Sequence, residues 1–151
     1  DVTIEGHDYS RLTYSLVYSG IIQEYALDYV REHADADEDF HLADKDWDGF
    51  VAFAKTKEFD YRSSAKTYFD RMKKELEKDG LSKNMSAELD ALQKALEMDK
   101  ETFLKLKKDE IVPFIEEEIA VRYHFQEAGI KIRLRYDDQL KKALASPMIE
   151  I

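Results

Sequence analysis

The chain has 151 residues, of which 44% are hydrophobic, and its formal net charge is −10 at pH 7. This length and apolar content suffice for one domain with a buried core, which excludes a wholly disordered chain. No segment approaches the roughly 18 apolar residues that a membrane helix requires, and the negative charge disfavours nucleic acid and anionic lipid, so we expect neither nucleic acid binding nor membrane insertion. The absence of cysteine excludes disulfides, thiolate zinc sites and cysteine nucleophiles.

The chain begins at Asp1 with a stretch that is typical of extended backbone, Val2, Thr3 and Ile4. We therefore expect a short extended N-terminal segment that continues from sequence upstream. Because the chain has only 5 glycines and 2 prolines, the rest is predicted to be all-α. Apolar residues at i, i+4 spacing predict the first helix over residues 8–33, and Gly20 inside it indicates a close backbone contact.

An acidic segment over residues 32–48 is predicted to be unstructured, because its eight acids against one lysine give a local charge of −7. Three acids at the start of residues 44–55 match the D-x-D-x-D-G pattern of an EF-hand calcium loop: Asp44, Asp46 and Asp48. Lys55 takes the twelfth position, where calcium requires a bidentate glutamate. We therefore favour a structural interpretation, in which Asp48 or a neighbour caps a helix beginning near Gly49. An acidic calcium-binding or protein-interaction module is the alternative.

Two further helices follow. An apolar stripe over residues 65–76 predicts a helix that is capped by Asp60 or Ser63 and ends at Gly80. Another stripe over residues 85–96 has the spacing of a short helix in antiparallel packing.

The last third begins with Asp99, a predicted N-cap, and a long amphipathic segment over residues 103–123. Pro113 lies inside that segment, so we expect a kink or a restart there. Residues 130–136 alternate with period two, which by pattern alone predicts a strand, and residues 138–145 return to helix. The predicted fold is an irregular bundle of five to six helices.

Catalytic and metal-binding motifs are not found in the sequence. The four histidines do not pair at i, i+3 or i+4, as a helical metal face requires: His7, His33, His41 and His124. No serine nucleophile motif or phosphate loop is present, and we predict no cofactor and no complete enzyme. The consecutive acids of residues 116–118 point in different directions on a helix, so we read Glu118 and Arg122 as an ordinary i, i+4 ion pair.

Several stretches together resemble the C-terminal helical region of bacterial carboxyl-terminal processing proteases, also called tail-specific proteases. The resemblance lies in residues 1–4, 14–22, 26–30, 50–55, 58–61, 115–126 and 138–144. Residues 115–126, I-E-E-E-I-A-V-R-Y-H-F-Q, match the family's E-E-E-I-x-x-R-Y-x-x-Q pattern. The chain departs from the family at Pro113 and in the acidic segment of residues 35–48.

The resemblance implies that residues 1–151 form a single helical domain, the C-terminal part of a longer chain. A PDZ domain and a peptidase domain with a Ser/Lys catalytic pair would lie upstream, and no residue here corresponds to that pair. It also implies location in the periplasm or cell envelope, and helix over residues 130–136, which we prefer to the strand. We therefore expect a non-catalytic accessory domain that serves core packing, dimerisation or substrate access. Its expected partners are the upstream domains or, in a homodimer, a second copy. Candidate interaction residues are Tyr14, Tyr18, Arg122 and Tyr123.

Overall fold

A computed structural model of the protein describes residues 8–145, and within that range it contains helices but no strand. The helices are α1 (Arg11–Tyr18), α2 (Ile21–Glu32), α3 (Asp44–Lys55), α4 (Ser64–Lys78), a 3-10 helix (Ser82–Met85), α5 (Ser86–Leu96), α6 (Lys100–Leu106), α7 (Lys108–Arg135) and α8 (Asp138–Ala145). The predicted all-α class is confirmed, although the chain is divided into more helices than expected. The extended segment expected at residues 2–4 lies outside the described residues.

The predicted first helix is two helices, α1 and α2, which meet at Gly20. Ser10 caps α1 by accepting a hydrogen bond from the backbone N–H of Thr13. Gly20 has a φ of 79°, a left-handed conformation that glycine adopts without steric cost. No atom lies within 4 Å of the position of a Cβ on Gly20, so the close backbone contact predicted there is wrong. The glycine serves the turn instead.

Helix α3 begins earlier than predicted, at Asp44, and its N-cap is Ala43, which makes no side-chain cap. Capping by Asp48 or a neighbour at a start near Gly49 is therefore wrong, and so is the unstructured backbone predicted for residues 44–48, which lie in α3. Acids at the first turn suit the positive end of the helix dipole, and burial of Trp47 and Phe50 holds this first half against the core.

Helices α4 and α5 form an antiparallel pair, which we call the arm (residues 64–96). The arm starts as predicted, because the Ser63 side chain accepts from the backbone N–H of Ala65. Gly80 ends α4 with a φ of 73°, and the N–H of Leu81 bonds the carbonyl of Leu76 at 2.9 Å, as in a Schellman motif.

The main core lies between α1, α2, α3, α6 and the first part of α7. Its buried residues are Leu12, Leu16, Ile21, Ile22, Ala26, Trp47, Phe50, Val51, Ala54, Phe103, Leu104, Ile111, Ile115 and Ile119. Residues of the arm do not contribute to this cluster, so the arm packs chiefly on itself.

Helix α6 begins at its predicted cap, where Asp99 accepts from the backbone N–H of Thr102 at 2.7 Å. The restart expected at Pro113 is wrong, because the break between α6 and α7 lies at Lys107. Pro113 removes one backbone donor, but α7 continues through it. Buried Ile111 and Ile115 hold this part of α7 against the core.

Helix α7 reverses direction at His124 and Phe125, the two residues in it with non-helical backbone angles. Glu117 and Arg133 pair across the reversal although they are 16 residues apart, a separation of about 24 Å in a straight helix. Residues 108–123 and 126–135 therefore form an antiparallel pair, which we call the hairpin. The helical interpretation of residues 130–136 is confirmed up to Arg135, and the strand is wrong.

Candidate interaction surfaces

A row of tyrosines lies on the outer side of α1. The rings of Tyr14 and Tyr18 stack, with centroids 6.1 Å apart and an interplanar angle of 13°. Tyr14 is 39% exposed and Tyr18 is 83% exposed. Tyr9 links this pair to the core, because its ring meets both Tyr14 and Phe114 edge-on. We call Tyr9, Tyr14 and Tyr18 the tyrosine patch. It presents apolar area in a fixed geometry.

The start of α1 is held by Glu110 of α7. The Glu110 carboxylate accepts from the Thr13 hydroxyl at 2.6 Å and from the Ser10 hydroxyl at 2.8 Å. Burial alone would raise the pKa of Glu110, but these hydrogen bonds and Lys107 lower it below its usual value. The carboxylate therefore stays charged and fixes the tyrosine patch relative to α7.

The other two predicted interaction residues face the protein interior. Arg122 donates to the Glu118 backbone carbonyl at 2.8 Å and to the Gln23 carbonyl at 3.3 Å. The Tyr123 hydroxyl donates to the carbonyl of His33 at 2.6 Å, and burial raises the pKa of Tyr123. These side chains bind α7 to α2 and to the segment after it, so the structure does not bring them to the tyrosine patch.

The segment between α2 and α3, residues 33–43, lies along the hairpin, and we call it the acidic strap. Side chains from both halves of the hairpin bond it: Tyr123 to His33, His124 to Ala36, Lys131 to Glu38, Arg135 to Asp39 and Phe40, and Glu116 to Leu42. Two of the four acids in this segment, Glu38 and Asp39, are thus paired with cations of residues 126–135. Its course, which includes a turn at Glu38 and Asp39, is held by these tertiary contacts, which local sequence does not reveal.

Glu116 lies where the strap meets the hairpin, and it is only 2% exposed. Its carboxylate accepts from the backbone N–H of Leu42 at 2.9 Å, from the Tyr136 hydroxyl at 2.6 Å and from Arg135 at 3.2 Å. Burial, followed by the bond to Glu116, raises the pKa of Tyr136 to about 12. A buried carboxylate with three donors has a structural role, and here it joins the acidic strap to both halves of the hairpin.

The acids of the EF-hand-like pattern lie in the first turns of α3, so the calcium loop is not formed. On a helix the acid at i+2 points away from the face shared by those at i and i+4, so the three acids do not converge on one ion. Asp44 is instead paired with Lys108 at 2.9 Å, and the hydrogen bond from that lysine lowers the pKa of Asp44. Within residues 8–145 there is no group of three or more His, Cys, Asp or Glu side chains placed to hold a metal.

A groove of about 940 Å³ lies beside the start of α1, between the start of α4 and the connection from α5 to α6. Its walls combine apolar side chains such as Tyr61, Met98 and Leu106 with charges of both signs. Sequence reasoning missed the groove because its walls come from separate segments of the chain.

The reversal in α7 exposes a residue that the sequence analysis did not single out. Phe125 has a φ of 62° and a ψ of −169°, and its side chain is 82% exposed. Backbone angles in this region are almost confined to glycine and cost a larger residue about 1–3 kcal/mol. No local signal in the sequence marks this position, because a phenylalanine in a helical pattern predicts a buried one.

Comparison with known families identifies one match. A family described as "Probable PDZ-protease, C-terminal helical domain" matches residues 12–146. Searches of curated proteins and of solved structures gave no significant match. None of the helices between residues 8 and 145 has the length and apolar character needed to cross a membrane.

Proposed function

This chain belongs to the family of C-terminal helical domains of probable PDZ-proteases, and we propose that it is a non-catalytic accessory domain of a carboxyl-terminal processing serine protease. The family match over residues 12–146 is the observation that carries this proposal. In this proposal the PDZ domain and the Ser/Lys pair lie upstream of the chain, in a protease of the periplasm or cell envelope.

The role that we propose is packing on the upstream peptidase through the tyrosine patch. Tyr14 and Tyr18 form an exposed stacked pair, and aromatic residues are enriched at interface centres. The patch begins close to Asp8, the first described residue, so a domain joined to the N-terminal side would be tethered next to it. The clamp between Glu110 and Thr13 holds the patch in place, which reduces the entropy lost on docking.

The test uses the full-length polypeptide with and without residues 8–145. We expect deletion to lower the stability of the peptidase or its rate of peptide cleavage, while the isolated 151-residue chain cleaves no peptide. Peptide cleavage by the isolated chain, abolished by a substitution within it, would contradict the proposal. An upstream sequence without a peptidase domain would contradict it as well.

The docking surface is tested by Tyr14→Ser together with Tyr18→Ser. In the full-length polypeptide we expect this double variant to reproduce most of the effect of the deletion, because the patch loses its apolar area. Leu144→Ser is the matched control, since Leu144 is also strongly exposed but lies on α8. If the patch instead forms a homodimer, the isolated chain should have twice its monomer mass in solution. The double tyrosine variant should then have the mass of a monomer.

A further inference from the structure

Two unfavourable features coincide at Phe125, at the tip of the hairpin. Its backbone lies in a region that is almost confined to glycine, and its aromatic side chain is exposed to solvent. Strained backbone of this kind is concentrated at functional sites, so it motivates a hypothesis of function for the residue. A glycine at the tip would allow the same reversal without strain.

The fold itself makes little use of the Phe125 side chain. The two halves of the hairpin are held together by other residues, through the pair between Glu117 and Arg133 and the burial of Ala128 and Ile132. Since the side chain is largely solvent-exposed, a contact outside the chain is the explanation that accounts for both the strain and the exposure.

The surroundings of Phe125 indicate the kind of surface that it fits. The hydrogen bond between the His124 ring and the carbonyl of Ala36 brings the acidic strap to the tip. Asp35 and Asp37 flank Ala36, and both are exposed. Two copies of this tip would repel each other, whereas an apolar pocket with a basic rim would be complementary to it.

We propose that Phe125 is an anchor that inserts into an apolar, basic-rimmed pocket on the peptidase part of the same polypeptide. This inference rests on the proposed function and adds a second point of contact. Phe125 lies along α7 from Glu110, which holds the tyrosine patch, at a distance of roughly 20 Å set by the rise of the helix. A domain that contacted both points would be fixed in orientation.

The experiment measures amide hydrogen exchange around residue 125 in the full-length polypeptide and in the 151-residue chain. We expect exchange at the tip to be about tenfold slower in the full-length polypeptide, because docking protects it. Phe125→Gly should remove this protection, while Phe125→Tyr should retain it within about twofold. Tyr68→Ser is the control, since Tyr68 is an exposed aromatic residue on the arm.

Two further measurements distinguish a loss of docking from a loss of folding. The melting temperature of the 151-residue chain should be unchanged or higher with Phe125→Gly, because the strain is removed. Asp37→Lys should weaken the protection in the full-length polypeptide, and the difference from wild type should shrink at high salt.

The possible outcomes separate this inference from the proposed function. A peptidase upstream, with equal exchange at the tip in both proteins, would overturn the anchor and leave the accessory role intact. A dimer of the 151-residue chain that Phe125→Gly dissociates would place a second copy at the tip, and would also overturn the anchor. The absence of any peptidase domain would overturn the proposed function itself.

Discussion

At the residue scale, Gly129 is a point of close approach between the two halves of the hairpin. A Cβ on Gly129 would overlap the Cγ2 methyl of Val121, nearer than real Cβ atoms come to their neighbours. We expect Gly129→Ala to lower the free energy of unfolding by about 1–3 kcal/mol, the usual cost of overpacking. Urea denaturation followed by circular dichroism measures this change.

Two control substitutions test the explanation for Gly129, one at a helical glycine elsewhere and one at the neighbouring side chain. A Cβ added to Gly49, inside α3, would lie 3.4 Å from the Tyr25 hydroxyl, an ordinary contact distance, so Gly49→Ala should raise the free energy of unfolding by up to about 1 kcal/mol. Adding Val121→Ala to Gly129→Ala should recover part of the loss. If the single substitution Gly129→Ala stabilised the protein, the close approach between residue 129 and Val121 would be contradicted.

Two tyrosines make stability depend on alkaline pH. Burial, with Asp46 nearby, raises the pKa of Tyr25 from 10.0 to about 12, and burial with the bond to Glu116 does the same for Tyr136. The folded state therefore holds these protons more tightly than the unfolded state. Their contribution is complete below pH 10 and is lost as the pH rises from 10 to about 12. Denaturant unfolding at a series of pH values measures this loss.

The matched variants are Tyr25→Phe and Tyr136→Phe, which cannot ionise. Each should be less stable than the wild type at neutral pH, because it leaves the carbonyl of Asp46 or the carboxylate of Glu116 without one donor. Each should also flatten part of the alkaline slope. An alkaline slope that neither variant changes would show that other groups carry it.

At the element scale, helix ends that depend on local capping residues could be predicted, whereas helix breaks that depend on tertiary contacts could not. Ser63, Gly80 and Asp99 mark helix ends through their own side-chain or backbone preferences, and the structure places caps at all three. The reversal at Phe125 depends on partners in distant sequence. The same holds for the start of α3, where packing outweighs the loop pattern of residues 44–49.

The candidate surfaces divide in the same way. Tyr14 and Tyr18 could be predicted as exposed candidates, because four-residue spacing on one short helix places them side by side. Arg122 and Tyr123 are also of residue types enriched at interfaces, but their side chains donate to carbonyl groups of α2 and the acidic strap. Which tyrosine meets solvent is thus decided by packing between elements.

The acidic strap should come away from the hairpin when Arg135 is removed. Arg135 donates to the carbonyl of Phe40 at 2.8 Å and to Glu116 at 3.2 Å, and it also pairs with Asp39. We expect Arg135→Ala to cost about 2–4 kcal/mol, since it leaves the buried Glu116 carboxylate without its cation. Limited proteolysis within residues 33–43 should become faster, because the free energy of local opening falls by a similar amount.

Arg133→Ala is the control for the strap. Arg133 pairs with Glu117 at the outside of the hairpin and is largely exposed, so its loss should cost under about 1 kcal/mol. It should leave the rate of cleavage in the strap unchanged. Equal cleavage in the two variants would mean that the strap is held by other contacts.

At the scale of the whole molecule, charge is distributed unevenly along the chain. Residues 1–61 contain 15 acids and 5 basic residues, a net charge of −10, while residues 62–151 contain 18 of each and are neutral. The structure opposes part of this charge internally, through Lys131 and Arg135 on the strap and Lys108 on Asp44. The remaining negative field favours basic partners and weakens self-association at low salt.

Burial also divides the molecule into two parts of unequal size, which we expect to unfold as separate cooperative units. The main core joins α1, α2, α3, α6 and α7, whereas the arm buries little more than Phe69 and Leu89 between its own helices. We expect the arm to open first, because little apolar area holds it closed. Native-state hydrogen exchange in increasing denaturant should show amides of α4 and α5 opening at lower free energy than those of α2 and α7.

Substitutions in the arm and in the main core should affect the stability of the two parts differently. Phe69→Ala removes the main buried side chain of α4, so it should unfold the arm while amides of the main core keep their opening free energies. Phe50→Ala, in the core, should lower the stability of the whole molecule by about 3–5 kcal/mol. If Phe69→Ala destabilised both units equally, the arm would be part of one cooperative core, and its surfaces could not move independently of the domain that carries them.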